Sequence, residues 1–413
     1  MFDKAATCAL ALVVVGLTGC GMSAPTLSVS PFPTLQLATP TAPGSQGEAT
    51  ASQSYSPSPS STNTVSVSDL AIDIQDIPKR YTHHLGAFRS LGDQLIWSAS
   101  AGSDHRGNGS LYRYVPGAAE PELVYMNPRE NCYLAYLAGS SAGYAFSEYC
   151  LTDQGQPTDP QWRVWFTPGP GEDLDLLDEG GDPNQLSPPQ VDMEGNVVAW
   201  TPDYGTGDDR LSQLRTVMIE RPSHPTTLVS DLVSKSSVAF PVLHDNEVWY
   251  SHSNNDWEND IAYPQVERID LGQPNGPPET FGADMRAFME DVNDQVVVWR
   301  SDTSGYLNPY SRGLLTIYWR ETGQIEPLPI PGDPRRAEVI SYPSVGDRFV
   351  AWFDDERSRL WLFDLEERQF RRVAEWPTGD AGSVMRSVDG NLLAFIYYAG
   401  ENEAVLRWAV LPD

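Results

Sequence analysis

The sequence predicts an all-β protein: a β-propeller of about seven four-stranded antiparallel blades, in which the N-terminal strand closes the last blade. Three observations predict this fold. A β-rich run that ends in a large aromatic residue recurs roughly every 43 to 54 residues, close to the period of propeller blades. Two-residue turn signals precede most of these runs, and an apolar strand follows each run after a polar loop. Because a sheet of this size cannot bury both of its faces alone, repeated sheets must cover one another.

The clearest copy of the repeating unit is Ser344–Leu365, which reads S-V-G-D-R-F-V-A-W-F-D-D-E-R-S-R-L-W-L-F-D-L. Gly346-Asp347 is a turn signal, Phe349–Trp352 is a strand that ends in an aromatic, and Leu360–Leu365 is a third strand. The aromatic at the end of the second strand occurs in seven units, and we expect all seven side chains to be buried equivalently: Trp97, Phe146, Trp200, Tyr250, Trp299, Trp352 and Phe395.

The two ends of the chain predict how the ring closes. The seventh unit reaches Asp413 before it has an outer strand, whereas Asp69–Ile74 is a spare strand ahead of the first unit. We therefore expect Asp69–Ile74 to complete the last blade, which leaves only short, protected sheet edges.

The pattern G-D-R-F-V-A-W…R-L-W-L-F-D-L resembles the repeat of TolB-like β-propellers, which belong to bacterial envelopes. The resemblance covers about 340 residues and implies a seven-bladed propeller lipoprotein of the envelope. It carries little information on the partner, because the motif consists of packing and turn residues.

The chain is strongly acidic, with 27 basic and 56 acidic residues among 413 and a formal charge of −29. This charge argues against nucleic acid and against direct binding to an anionic membrane surface, since both would repel the protein. It permits cationic partners or Ca²⁺, but we expect no cofactor.

The N-terminal region predicts export and lipid anchoring. Residues 1–19 combine a thin positive start with an apolar stretch too short to span a membrane. Leu17-Thr18-Gly19-Cys20 resembles a lipobox, which implies lipidation of Cys20; the alternative is an ordinary secretory peptide. Residues 20–66 are rich in Pro, Ser and Thr and predict a disordered tether, followed by the propeller domain at 67–413. We expect an extracytoplasmic monomer anchored by lipid in the cell membrane or the outer membrane.

Two cysteines remain in the predicted propeller, Cys132 and Cys150. They lie at equal distances from Ser141 at the centre of a predicted hairpin turn. Direct opposition on neighbouring strands brings Cα atoms within disulfide reach, and an oxidising compartment favours the bond. We predict a Cys132–Cys150 disulfide; the alternative is two buried thiols.

No motif predicts catalysis. Gly139–Gly143 matches G-x-S-x-G, but it falls in a hairpin turn without the helix that follows the serine in hydrolases of that type. The six histidines lack zinc-ligand spacing, and no phosphate-binding or dinucleotide-binding loop is present.

Binding is predicted on the face that carries the loops between second and third strands. Five of these loops are long, and long loops on a rigid scaffold are where ligands usually bind. Trp257 among amides and carboxylates suits a sugar face or a protein contact. The candidate binding residues are Tyr204, Asp208, Asp256, Trp257, Asp260, Tyr306 and Tyr310. The alternative is that the tryptophan folds back onto its blade and the charges form a solvated rim.

The sequence thus predicts a non-catalytic propeller that binds a protein, peptide or glycan at the cell envelope. Two alternatives stay open. One is an enzyme that acts on envelope polysaccharide through carboxylates of the propeller face or channel, and the other is a structural scaffold.

Overall fold

The computed structural model describes thirteen segments of the chain. These are residues 67–82, 85–100, 109–152, 157–181, 188–205, 209–256, 261–282, 286–302, 313–328, 343–354, 359–375, 386–398 and 404–412. Within them the protein is all-β, apart from a 3-10 turn at Lys79–Tyr81 and 3-10 geometry at Asp209. No helix in these segments is long and apolar enough to cross a membrane.

The described strands form seven antiparallel sheets, the blades of a propeller, and we number the blades 1 to 7 along the chain. From the innermost strand outward they are Leu85–Leu91, Gln94–Ser100, Gly109–Tyr114 and Glu122–Met126 (blade 1); Cys132–Ser140, Gly143–Leu151, Pro157–Thr167 and Asp175–Gly180 (blade 2); Gln190–Glu194, Val197–Thr201, Leu211–Met218 and Thr226–Leu232, with Asp203–Tyr204 beside the third strand (blade 3); Ser236–His244, Glu247–Asp256, Ile261–Asp270 and Glu279–Phe281 (blade 4); Arg286–Val292, Val296–Asp302, Gly313–Trp319 and Gln324–Pro327 (blade 5); Ser344–Val345, Phe349–Asp354, Arg359–Asp364 and Gln369–Glu375 (blade 6); and Arg386–Asp389, Leu392–Tyr398 and Ala404–Val410 (blade 7).

The first strand of every blade contacts the first strand of the next blade, and the first strand of blade 7 contacts that of blade 1. The blades therefore surround a central channel. We call the end of the ring that carries the tight turns between first and second strands the turn face. The opposite end, where each second strand ends and each third strand begins, is the loop face.

The seven aligned aromatics are equivalently buried, as the sequence predicts. All seven of these side chains are 0% exposed. They belong to hydrophobic clusters that join neighbouring blades, as Trp352 does with Leu315 and Ile317 of blade 5. The repeating aromatic thus fills the space between sheets, and this packing holds the blades together.

The turn signals are confirmed in most blades. Gly92, Gly195 and Gly390 adopt positive φ angles at the turns of blades 1, 3 and 7, which tight hairpins require. In blades 5 and 6 the sequence predicts turns at Asn293-Asp294 and Gly346-Asp347, but each turn lies one residue later, at residues 294–295 and 347–348.

The N-terminal segment closes the ring, but the predicted bounds of the closing strand were wrong. The closing strand is Gln75–Asp76, which pairs antiparallel with Trp408 and Arg407 of blade 7. The Ile77 N–H continues this ladder with a 2.9 Å hydrogen bond to the Leu406 carbonyl. The predicted strand Asp69–Ile74 is mostly outside the ladder, because its apolar side chains pack into the cluster between blades 6 and 7 instead: Leu70, Ile72 and Ile74.

A second short strand, Val67–Asp69, adds a fifth strand to blade 6. It runs parallel to the outer strand, with Val67 opposite Phe370 and Asp69 opposite Arg372. An ion pair of 2.7 Å joins Asp69 to Arg372. The N-terminal segment therefore spans blades 6 and 7 and links them outside the channel.

The Cys132–Cys150 disulfide is present and joins directly opposed residues of the first hairpin of blade 2. The neighbouring Glu148 is fully buried. Its carboxylate accepts hydrogen bonds from Arg129 at 2.6 Å and from Trp165 Nε1 at 3.0 Å. This part of blade 2 is therefore fixed by a covalent bond and by a satisfied buried charge.

The Ile77→Ala variant tests the closure of the ring. Ile77 is 1% exposed and packs between blades 7 and 1, beside Phe88 and Leu406. Its truncation should lower the free energy of unfolding by about 3 kcal/mol, the usual cost of emptying a buried isoleucine site. Urea denaturation measures the change. The exposed Val410→Ala variant is the control, and equal stability of the two variants would contradict the closure.

Candidate functional site

Most of the predicted binding residues fall outside the described segments. Asp208, Trp257, Asp260, Tyr306 and Tyr310 lie there, as does the predicted lipidation residue Cys20. Asp256 is the last residue of the second strand of blade 4. Tyr204 is the predicted binding residue whose side chain is described.

Tyr204 is half-buried at the junction of blades 2 and 3. Its hydroxyl donates to Asp178, which also accepts from Trp200 Nε1 at 2.7 Å and from Arg215 Nη1 at 2.8 Å. Its ring packs edge-on against Trp162, with centroids 5.5 Å apart. Burial, with the Asp178 charge, raises the pKa of Tyr204. The hydroxyl is thus used within the protein, and any contact of Tyr204 with a ligand would be through its ring edge.

The channel holds an ion pair that crosses the ring. Arg89 Nη1 of blade 1 lies 2.5 Å from Asp192 Oδ1 of blade 3. The negative charges of Asp291 of blade 5 and Asp389 of blade 7 also stabilise the positive charge of Arg89. Burial raises the pKa of Asp192, and Arg89 opposes that rise. The sequence held a signal for this group, since Arg89, Asp192 and Asp291 each precede a turn by three residues.

The same aspartates also bind the neighbouring blades. Each accepts a hydrogen bond from a backbone N–H of the next blade in the ring. The distances are 2.6 Å from Leu243 N to Asp192, 2.7 Å from Val345 N to Asp291 and 2.9 Å from Gly92 N to Asp389. The carboxylates near the channel therefore hold adjacent first strands together.

A second polar group lies between blades 3 and 4, towards the loop face. His252 Nδ1 is 3.0 Å from Glu267, and its Nε2 is 3.2 Å from Asp231. The Tyr250 hydroxyl donates to Glu267 at 2.7 Å. Burial lowers the pKa of His252, but the bond to Glu267 and the two carboxylate charges outweigh it and raise the pKa above its ordinary value. This imidazole is therefore used to join two blades.

The turn face carries an acidic cleft of about 220 Å³. His244 Nε2 lies 2.9 Å from Asp294 in its wall. Asp347 and Asp389 line the same cleft. The cleft is at the opposite end of the ring from Tyr204.

The described segments contain one group with metal-ligand spacing, formed by Cys132, Glu148 and Cys150. The two sulfurs are joined to each other, so neither is a thiolate ligand. The expectation that Ca²⁺ is at most a minor partner stays a prediction.

Sequence reasoning missed a pair of side chains at the loop face between blades 4 and 5. Arg286 begins the first strand of blade 5, and its guanidinium carbon lies 5.1 Å from the ring centre of Tyr263. Arg286 is 6% exposed, whereas Tyr263 is 46% exposed. The sequence carried no signal for the pair, because 23 positions separate the two residues and only the blade stacking brings them together.

The chain is similar in fold to solved β-propellers. The β-propeller domain of the Trilobed protease from Pyrococcus furiosus matches at 9% identity, with a TM-score of 0.55 over 80% of this chain and 93% of that one. Pyrococcus horikoshii acylaminoacyl peptidase matches at 10% identity, with a TM-score of 0.56 over 81% and 53%. The structure of YCF48 bound to D1 peptide matches at 8% identity, with a TM-score of 0.52 over 85% of this chain and 98% of that one.

This chain spans about half the length of the acylaminoacyl peptidase chain. No protein-family model matches it, and the search of curated proteins also gave no match. At these identities the likeness shows the fold alone.

Glu290 provides a test of the buried charges. It lies at the boundary of blades 4 and 5, accepts a 2.6 Å hydrogen bond from Ser251 Oγ, and burial raises its pKa to about 8. The folded state therefore holds this proton more tightly than the unfolded chain, so stability falls as the pH rises from about 4.5 to 8. The Glu290→Gln variant should lose this dependence and gain on the order of 3 kcal/mol over the wild type across that range.

Denaturation curves at pH 5, 6.5 and 8 measure this gain for Glu290→Gln. Glu321→Gln, at an exposed turn position, is the matched control and should follow the wild type. A constant difference between Glu290→Gln and the wild type at all three pH values would contradict the raised pKa.

Proposed function

We propose that this chain is an exported, lipid-anchored β-propeller that binds a protein, peptide or glycan at the cell envelope through its loop face, without catalysis. The location rests on the sequence: the Leu17–Cys20 pattern, the Pro-, Ser- and Thr-rich stretch at 20–66, and the resemblance of the repeat to TolB-like propellers of the envelope.

The observation that supports loop-face binding best is the length of the central hairpin of blade 4. Its second strand runs six residues past the buried Tyr250, to Asp256, and its third strand begins at Ile261. The corresponding strand of blade 1 ends three residues past Trp97. At about 3.3 Å per residue, the blade 4 hairpin extends about 10 Å farther. Trp257 follows Asp256 directly in the sequence, which makes it the leading contact candidate.

Two further observations favour binding without catalysis. The channel aspartates are already bonded to the backbone of neighbouring blades, so these lone pairs are committed to the scaffold. A peptide is the ligand in the structure of YCF48, a propeller that this chain matches over most of both lengths. That likeness supports a peptide as one candidate class of ligand, and the ligand of this chain is part of the proposal.

The double variant Trp257→Ala/Tyr310→Ala tests the proposal. Loss of both aromatic contacts should reduce retention of the protein on its native envelope fraction by about tenfold or more, the effect of removing two aromatic anchors. A pelleting assay measures retention. Met218→Ala, at an exposed position at the turn-face end of blade 3, is the control. Unchanged retention of a correctly folded double variant would leave loop-face binding without support.

A polysaccharide-active enzyme is the second candidate, and one observation favours it. Asp192 is buried and Asp291 half-buried beside Arg89, and desolvation raises the pKa of Asp291 to about 6. Two carboxyl groups with different proton affinities are what glycoside hydrolysis requires. If this reading holds, purified protein should release reducing ends from envelope polysaccharide, and Asp291→Asn should abolish that release. No release by the wild type would exclude it for the polysaccharides tested.

A further inference from the structure

Within the described segments, Arg286 differs from the arginines that pair with carboxylates. The side chain is 6% exposed, and its Nη1 is buried without a hydrogen-bond partner. No carboxylate of the described segments forms an ion pair with it. A buried cation without a counter-charge is costly, so proteins keep such a group mainly where a ligand completes it.

Other shielded arginines of the described ring show what ordinary pairing looks like. Arg215 lies 2.8 Å from Asp178, Arg348 lies 2.8 Å from Asp364, and Arg320 lies 3.2 Å from Glu247. The chain has about two acidic residues for each basic one. The absence of an ion-pair partner for Arg286 among the described residues is therefore not the result of a shortage of carboxylates.

Tyr263 gives the site its second component. Its ring covers the Arg286 guanidinium at 5.1 Å, yet the residue is 46% exposed. Asn254, also exposed, lies directly opposite Tyr263 on the second strand of blade 4. Because nearly half of Tyr263 is exposed and it belongs to no buried cluster of the described core, its phenol can shift without disturbing that core, which opens the guanidinium beneath it. An aromatic face, an amide and a cation thus meet at the loop face.

We propose that Arg286 and Tyr263 form a binding site for the carboxylate of an acidic sugar, with the guanidinium holding the carboxylate and the phenol lying against the sugar ring. A planar guanidinium matches a carboxylate with two parallel hydrogen bonds. This inference rests on the proposed function and specifies its ligand class. Tyr263 belongs to the extended hairpin of blade 4, so one glycan could contact the site and the end of that hairpin.

A sugar fits this place better than an extended peptide. Strand addition uses a free backbone edge, whereas the contact between Arg286 and Tyr263 is made by side chains, from strands that pair on one edge with Asp302 and Asn254 respectively. What the boundary between blades 4 and 5 presents is side chains on a sheet face. A pyranose ring with a carboxylate can use those side chains without any backbone pairing.

Calorimetry with the full chain tests the site, using a galacturonate oligomer, a neutral glucose oligomer of equal length and a glutamate-rich peptide as probes. Measurements at 0.15 M salt screen the long-range repulsion by the acidic protein. We expect the wild type to bind the galacturonate oligomer and not the neutral one. Arg286→Gln should weaken this binding by about tenfold or more, and Arg286→Lys, which keeps the charge but loses the paired geometry, by a smaller factor.

Arg368→Gln is the matched control. The Arg368 guanidinium also lies over an aromatic ring, 4.2 Å from the centre of Trp319, but it is exposed and follows the third strand of blade 6 at the turn face. This variant should bind the galacturonate oligomer as the wild type does. Thermal unfolding shows whether Arg286→Gln is folded; if it is not, Arg286→Lys decides the outcome.

Equal affinity of the wild type for the acidic and neutral oligomers would overturn the proposal, as would unchanged galacturonate binding in both Arg286 variants. Binding of the peptide through Arg286, without binding of the sugar, would replace the glycan with a peptide carboxylate. The two proposals can fail separately. If no galacturonate binding is found, but the Trp257/Tyr310 double variant loses envelope retention as expected, the sugar site is excluded and the proposed function stands.

Discussion

Burial of one aromatic side chain between each pair of sheets is the constraint on which the rest of the structure depends. No blade can bury both of its apolar faces alone, so each blade packs against its two neighbours. Trp352 shows this directly, since it packs among apolar residues of blade 5 as well as its own blade. A chain built this way needs a last contact between its two ends, and Ile77 with Gln75–Asp76 supplies it between blades 7 and 1.

The polar side chains near the channel and between the blades also depend on contacts with neighbouring blades. Channel aspartates accept backbone N–H groups of the next blade, and Asp178 joins Trp200 and Arg215 of the adjoining sheet. These carboxylates thereby form hydrogen bonds across blade boundaries, which adds direction to the non-directional apolar packing. At the loop face, Arg286 forms no ion pair with a carboxylate of the described segments. We therefore infer that its charge binds a ligand, whereas the paired charges stabilise the fold.

The sequence was sufficient for the features that depend on local pattern. The aromatic period predicted the seven blades, and the equal spacing of Cys132 and Cys150 about one turn predicted their disulfide. The closing strand was placed too early, because alternation in Asp69–Ile74 reports which side chains are buried and does not report which backbone groups pair.

Features that depend on which blades face each other were beyond the sequence. The pairing of Arg89 with Asp192 requires knowing that blades 1 and 3 meet across the channel. In the sequence Arg286 has the pattern of an ordinary strand residue, and only the stacking of blade 5 on blade 4 shows that no carboxylate of the described segments pairs with it. The residues predicted for the loop face, Trp257 above all, fall outside the described segments, so their role stays a prediction.

Hydrogen–deuterium exchange on two forms of the protein, residues 67–413 and residues 79–413, tests the dependence of each blade on its neighbours most directly. Removal of residues 67–78 takes away the closing strand and Ile77. We predict faster exchange in the adjoining central strands Ala404–Val410 and Gln94–Ser100, with blade 4 on the far side of the ring retaining more protection. Unchanged protection of blades 7 and 1 in the shorter form would contradict a ring held together by contact between neighbours.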